Sequence, residues 1–365
     1  MSSAFLSADL RPFSLSWRAC RERFLAAAEA HRHLFRRAVP CPAPGPDGEE
    51  LFTDILWLGS DGASRVLVLI SGTHGAEGFA GSAVQSDFLE QAAASHWQPP
   101  ANTAVLLVHA LNPWGMAWGR RCDQDGIDLN RNFIDFDQPP PANPGYLAIR
   151  EALFDPDPAR REAALQAYAR QHGQTALEIA VSGGQYSDPQ GPFFGGFGKA
   201  HGRRLIEQLI NDHALGERQL AVIDLHTGLG PYGYGEIICD HAPDSDGTRV
   251  AHNWYGDAVT LPAAGTSSSV PKLGLLDYGW HAVMDRHSCF VTLEFGSYST
   301  RALFETILAD HRLHADPAAH PDQPAWRQVK GAMQRHFCPP DSQWQEMVLW
   351  RGRQVIRLAL AGLQH

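Results

Sequence analysis

Short apolar runs rich in Val, Leu and Ile recur along this chain, separated by longer stretches with helical periodicity. Leu51–Leu58, Val66–Ile70, Thr103–Ala110, Gln219–Leu225, Gly235–Asp240 and Ser288–Phe295 read as strands, with Leu51–Leu58 at an edge. Ser16–Arg37, Gly78–Ser95, Tyr146–Gln171, Ala200–His213 and Gly247–Val259 read as helices. In the first of these, Trp17, Phe24, Leu25, Ala28 and Leu34 share one face, and Arg18, Arg21, Glu22 and Arg23 form a solvated opposite face. From Ser299 onward the pattern is helical, broken at Pro317–Pro324 and at Pro339-Pro340. Val39–Glu49, Phe136–Gly145 and Thr266–Gly279 have loop composition, and no internal repeat is present. Alternating strands and helices predict an α/β fold: a mixed, mostly parallel central sheet with helices on both faces. The 365 residues fit a single domain over 1–365. Its core spans about 51–315, flanked by an N-terminal helix and a C-terminal helical extension.

Composition narrows the function classes. A formal charge of −10 without a block of like charges argues against a nucleic-acid partner, which needs a basic face. The N-terminus lacks the basic and apolar regions of a signal peptide, and no apolar run approaches a membrane span. Cys20, Cys41, Cys122, Cys239, Cys289 and Cys338 are scattered with no C-x-x-C pair, which reads as reduced thiols in a cytoplasmic protein. With 18 histidines in the chain, one histidine alone is weak evidence for any site.

Position along the strands makes some of them informative. His74 and Glu77 follow the Val66–Ile70 run on a loop that also carries Gly75 and Gly78. Open α/β sheets hold their ligands at the carboxyl ends of strands. Read alone, His74 is equally a helix cap and Glu77 a first-turn acid facing the helix dipole. Asn112–Phe133 is long, irregular and crowded with Arg, Asp and Asn, and such ordered loops are usually functional. His109 ends the Thr103–Ala110 run with nothing of ligand type beside it, so it reads as a core or loop histidine. Gly183–Gly198 is glycine-rich but has neither the P-loop nor the dinucleotide spacing, and reads as a flexible loop near the cleft. His226 ends the Gln219–Leu225 run, and Glu294 lies close to the end of Ser288–Phe295. In an open sheet these strand ends converge. Two histidines and a carboxylate form the ligand set of a hydrolytic zinc site. A further glutamate can serve as general base toward a metal-activated water, and arginines can hold a carboxylate or an oxyanion.

The order of motifs His74-Gly75-Ala76-Glu77, Asp128-Leu129-Asn130-Arg131, Asp224-Leu225-His226 and Thr292-Leu293-Glu294 resembles the zinc carboxypeptidases of the carboxypeptidase A type. The resemblance runs from about Leu51 to Ser299 and extends to the succinylglutamate desuccinylase/aspartoacylase branch. SGTHGAEGF, RRCDQDGIDLNRNF and DLHTGLGPYGYGE are similar to an uncharacterised, mainly bacterial branch of that family. It implies one zinc per chain, held by His74, Glu77 and His226, with Glu294 as general base and then proton donor to the leaving amine. Asn130 and Arg131 are implied to bind the substrate's terminal carboxylate. Arg121, with Arg120 as the alternative, is implied to polarise the scissile carbonyl. Asp128 is implied to accept from His74 and fix its tautomer, an ordinary Asx-turn being the other reading. The family's usual tyrosine that closes over the substrate is not placed: Tyr232, Tyr234, Tyr255 and Tyr278 all lie in the interval, none within a motif.

The expected activity is therefore a zinc metallohydrolase cleaving an amide next to a free carboxylate, on a small peptide or an N-acyl amino acid. The alternatives are an N-acyl amino acid deacylase of aspartoacylase type and a non-catalytic metal-binding homologue. A serine hydrolase is excluded by the lack of a G-x-S-x-G elbow. The intact set of His74, Glu77, His226 and Glu294 argues against a metal-free binding protein.

Overall fold

The computed structural model describes residues 8–31 and 34–365. The first elements are α1 (Trp17–Glu29), β1 (Leu34–Pro40), β2 (Phe52–Leu58), β3 (Arg65–Ser71), α2 (Gly78–Ala94), β4 (Thr103–His109) and α3 (Pro113–Trp118). Then come α4 (Pro144–Phe154), α5 (Pro158–His172), α6 (Gln174–Ser182), α7 (His201–Asp212), β5 (Gln219–Gly228) and β6 (Gly235–Ile238). The chain continues through α8 (Asp246–Tyr255), β7 (Val259–Thr260), α9 (Asp277–His281) and β8 (Cys289–Gly296). It ends in α10 (Thr300–Ala315), α11 (Pro324–Phe337) and α12 (Ser342–Gly362).

The eight strands form one sheet in the order β1-β2-β4-β3-β5-β8-β6-β7. Its centre, β4-β3-β5-β8, is parallel throughout, and antiparallel pairing is confined to β1-β2, β2-β4 and β6-β8. The central strands are apolar on both sides because helices cover both faces. Along β3, Leu67 and Leu69 join the core beneath α1, α2 and α12, whereas Val66, Val68 and Ile70 join the core beneath α7. A third cluster, from α4, α6, α10 and α11, packs beside the carboxyl ends of the strands. Among the described residues no helix is long and apolar enough to cross a membrane.

Several element boundaries differ from the reading of the sequence. The helix expected over Ser16–Arg37 stops at Glu29, and Leu34–Pro40 is a strand. Residues 32–33 of that expected helix, like Met1–Ser7, lie outside the described residues. β1 pairs antiparallel with β2 from Leu34↔Leu58 to Pro40↔Phe52, so the edge position expected for Leu51–Leu58 belongs to β1. Tyr146–Gln171 is two helices. The first ends at Phe154, and Asp157 accepts from Ala159 N to start the second at Pro158. The Asn112–Phe133 loop contains α3, whose start is capped by the Asn112 side chain accepting from Gly115 N. Within Thr266–Gly279, α9 begins at Asp277, and α6 occupies a stretch left without an element.

Candidate metal centre

β3 ends at Ser71, and Gly72 adopts φ +71° so that the chain turns across the sheet edge toward His74. The turn carries His74 and, through a single 3₁₀ turn over Gly75–Glu77, the carboxylate of Glu77. Here Gly75 is required by close approach. A Cβ at this position would lie 2.0 Å from the carbonyl carbon of Gly115 in α3. The adjoining segment is laid alongside, with Gly75 N donating to Arg121 O at 3.2 Å and Ala76 N to Arg120 O at 2.8 Å. That pairing delivers Arg121 to Glu77.

His226 and Glu294 come from the neighbouring parallel strands β5 and β8, where they are direct register partners. The ligand atoms of His74, Glu77 and His226 lie within 4.8 Å of one another, and all three residues are buried. Glu77 Oε2 sits 3.2 Å from His226 Nδ1 and accepts from Thr227 N at 3.0 Å. Glu77 Oε1 pairs with the Arg121 guanidinium at 2.8 Å. Arg121 also donates to Asp128 at 2.9 Å, and its Nη2 contacts His74 Nε2 at 2.6 Å. His74 Nε2 is thus the acceptor nitrogen, and the opposite nitrogen, Nδ1, faces Asp128 Oδ1 at 3.4 Å. Nδ1 is otherwise a buried atom without a partner. Asp128 also makes the Asx turn, with Oδ1 accepting from Asn130 N at 3.0 Å. The Asx turn is thus formed, while the same carboxylate faces His74 Nδ1 without a hydrogen bond to it.

The ring of His226 is held from behind by Asp224, whose Oδ2 lies 2.6 Å from Nε2. Thr73 Oγ1 donates in turn to Asp224. The sequence reading gave Asp224 no role. Its signal was available, since residues two apart on a strand share a face. Glu294 Oε1 accepts from Leu229 N at 2.9 Å, which fixes the carboxylate at the end of β8.

These groups line one cavity of about 70 Å³ together with Asn130 and Arg131. Arg131 is fully buried. Its Nε and Nη2 donate to Ser182 O at 3.0 and 2.7 Å, and Nη1 donates to Asn130 O. It pairs with neither Asp128 nor any other carboxylate among the described residues. Asn130 Oδ1 accepts from Leu276 N at 2.7 Å. Arg120 points elsewhere, pairing with buried Asp310 at 2.9 Å. His109 belongs to the core, stacked on Phe24 at 4.1 Å and 2.8 Å from Ser82 Oγ. None of the four interval tyrosines lines the cavity. Residues given no role by the sequence reading also line it, among them Asp240 beyond β6 and Lys272 on the Ser-rich loop before α9.

Burial and neighbouring charge set the electrostatics. Burial lowers the His74 pKa well below the ordinary histidine range, with Arg121 acting in the same direction. Burial also opposes charge on His226, but Asp224 and Glu77 outweigh it and raise that pKa. Burial next to the Glu77 charge pushes Glu294 up to about 7. Asp128 stays low because Arg121 and Arg131 outweigh its burial.

The structure is similar to carboxypeptidase A from Helicoverpa armigera, with TM-score 0.50 and 13% identity over 100% of this chain and 78% of that one. Thrombin activatable fibrinolysis inhibitor gives TM-score 0.50 and 10% identity, over 98% of this chain and 79% of its own. A putative succinylglutamate desuccinylase/aspartoacylase from Shewanella frigidimarina NCIMB 400 aligns over 77% of this chain and 71% of its own, at 18% identity and TM-score 0.35. No curated protein matches the sequence. The first two likenesses show the fold, which is carboxypeptidase A-like. Residues 13–351 match the family described as a protein of unknown function (DUF2817), and the chain belongs to that family.

Proposed function

We propose that this chain is a zinc-dependent hydrolase. It cleaves an amide bond next to a free carboxylate, in a small peptide or an N-acyl amino acid. The observation that carries the reading is the convergence of His74, Glu77 and His226 within 4.8 Å, beside buried Glu294 in one cavity. The donor set fits zinc. Two imidazoles and one carboxylate are a catalytic triad of ligands with a position to spare. Each imidazole has a carboxylate behind its far nitrogen, Asp128 for His74 and Asp224 for His226. One zinc per chain is expected. Held by three protein ligands, zinc supplies Lewis acidity and makes water a nucleophile at neutral pH.

The remaining chemistry belongs to the side chains. Glu294, raised toward neutrality by burial, takes a proton from the attacking water and returns it to the leaving amine. The Leu229 N–H keeps one of its oxygens fixed during both transfers. Once Glu77 and His74 are engaged as ligands, Arg121 retains Asp128 and turns its free N–H groups to the scissile carbonyl oxygen. Arg131, locked in plane by Ser182 O and Asn130 O, presents its remaining N–H groups to the substrate's terminal carboxylate. Asn130, tied to Leu276, holds the same wall. Six free cysteines support the cytoplasmic reading. The test is a panel of N-acyl amino acids and dipeptides, each assayed with its carboxylate free and as the amide. A preference for the free acid supports the reading, and equal rates in every pair refute it.

A further inference from the structure

Among the described residues, two cations line the candidate cavity without an ion pair. Arg121 is matched by Glu77 and Asp128, but Arg131 and Lys272 meet only neutral acceptors. The Lys272 ammonium donates to Ser269 Oγ and, at 3.0 Å, to Val270 O. An ammonium has three N–H groups, so one remains. The loop carrying it is fixed from below by Glu236, a buried carboxylate on β6 opposite Glu294 in register. Glu236 accepts from Thr260 Oγ1 at 2.5 Å, Ser267 Oγ at 2.8 Å and Ser268 N at 3.1 Å, and from Ser268 Oγ. The ammonium is therefore placed by a satisfied network and does not swing free on a surface loop. Burial, and then the charge of Arg131, lower the Lys272 pKa to about 8. Asp240 is the internal anion that most favours the charge of Lys272, yet it makes no ion pair with it, and burial works against its own charge. Arg131 is fully buried and Lys272 partly buried, and two unpaired cations of like sign facing one cavity favour an anion there.

We propose that Lys272 is a second carboxylate-binding residue of this pocket, sharing the substrate's terminal carboxylate with Arg131. The inference rests on the proposed function above and deepens it. Arg131 supplies the planar fork that orients the anion, and Lys272 adds a point charge to the same cavity. No family motif contains position 272, because the residue arrives on a loop between β7 and α9. The alternative is a structural lysine that only steadies its own loop against Asp240.

Chemical footprinting separates the two. Lys199, Lys272 and Lys330 are the only lysines of the chain. Lys199 is half-exposed and pairs with Glu207 on the surface, so it serves as the internal control. Zinc-loaded full-length protein is reductively methylated in the presence of each of a series of N-acetyl-L-amino acids, or of the matching amide, and mapped by mass spectrometry. At least one acid should slow methylation of Lys272 several-fold while its amide does not and Lys199 is unchanged. Equal modification of Lys272 with every acid and every amide would overturn the assignment.

Kinetics give the second arm. Lys272→Met should raise KM for the free-acid substrate roughly tenfold, the scale of one charge-assisted contact. It should leave kcat nearly unchanged and close the gap to the amide, and Lys272→Arg should recover part of the loss. If Lys272→Met keeps the full preference for free acid, the Lys272 assignment fails alone. If the wild type shows no such preference, the proposed function itself fails.

Discussion

Removing the Asp224 carboxylate should weaken zinc binding although Asp224 is not itself a ligand. Its Oδ2 lies 2.6 Å from His226 Nε2, and it is only 1% exposed. In Asp224→Ala that ring nitrogen loses its partner where water cannot replace it. An unsatisfied buried N–H costs roughly 1–3 kcal/mol. The ring also loses the contact that keeps Nδ1 facing Glu77, 3.2 Å away. Loss of the carboxylate behind a metal-bound histidine lowers metal affinity about 10–100-fold. That corresponds to about 1.4–2.8 kcal/mol, in line with the cost of the orphaned N–H. Asp224→Asn keeps an acceptor and should fall near tenfold. The assay is competition for zinc against a chromophoric chelator, with circular dichroism to establish that each variant is folded. A folded Asp224→Ala protein that binds zinc as tightly as wild type would refute the reasoning, because His226 would then need no orienting partner.

Three further outcomes are expected. Glu294→Gln keeps shape and zinc but removes the base, so turnover should fall by roughly a hundredfold or more while elemental analysis stays at the wild-type value; loss of zinc would make Glu294 a ligand instead. Asp310→Asn leaves Arg120 and Lys330, paired with it at 2.9 and 2.5 Å, without their shared anion. About 3–5 kcal/mol of stability should be lost in chemical denaturation, and an unchanged midpoint would contradict the view that Arg120 is structural. Burial lowers the pKa of His109, His241, His311 and His336 to about 4, and of His281 and His314 to about 3. Between those values and the ordinary histidine pKa of about 6.5 the unfolded chain binds protons that the folded chain does not. These rings therefore contribute stability that is full above about pH 6.5 and falls as pH drops toward 4, on the order of 1.4 kcal/mol per pKa unit, the raised pKa values of Glu294 and His226 offsetting part of it. The urea midpoint of chelator-treated protein should decline steadily over that window, and a flat profile would contradict the burial of these rings.

The legible parts of this chain were those where one physical pattern dominates. β3, β4, β5 and β8 are buried on both faces, so their apolar runs stand out against the polar groups that end them. The residues at those ends, His74, Glu77, His226 and Glu294, are the ones brought together. β1 was hidden because it lies at an edge. Its side chains are only partly buried or exposed, Phe35 is 51% exposed, and its first residues continue the helical phase of α1. The boundary at Phe154 was written in Asp155-Pro156-Asp157-Pro158, whose prolines and capping aspartate outweigh the alanine-rich periodicity on either side. Lys272 and Asp240 carry no local signal at all. They enter the cavity because Glu236 fixes a loop and because β6 runs antiparallel to β8, and both are long-range facts. The partner of Arg131 carries no local signal for a similar reason: its guanidinium is held by the carbonyl of Ser182, 51 residues away.

The central claim is that His74, Glu77 and His226 hold one zinc. Elemental analysis of wild type and of His226→Ala, purified side by side and dialysed against the same weak chelator, addresses it directly. The account predicts one zinc per wild-type chain and near-complete loss in the variant, since two remaining protein ligands rarely retain the metal. Full zinc in folded His226→Ala, or none in wild type after zinc loading, would contradict it.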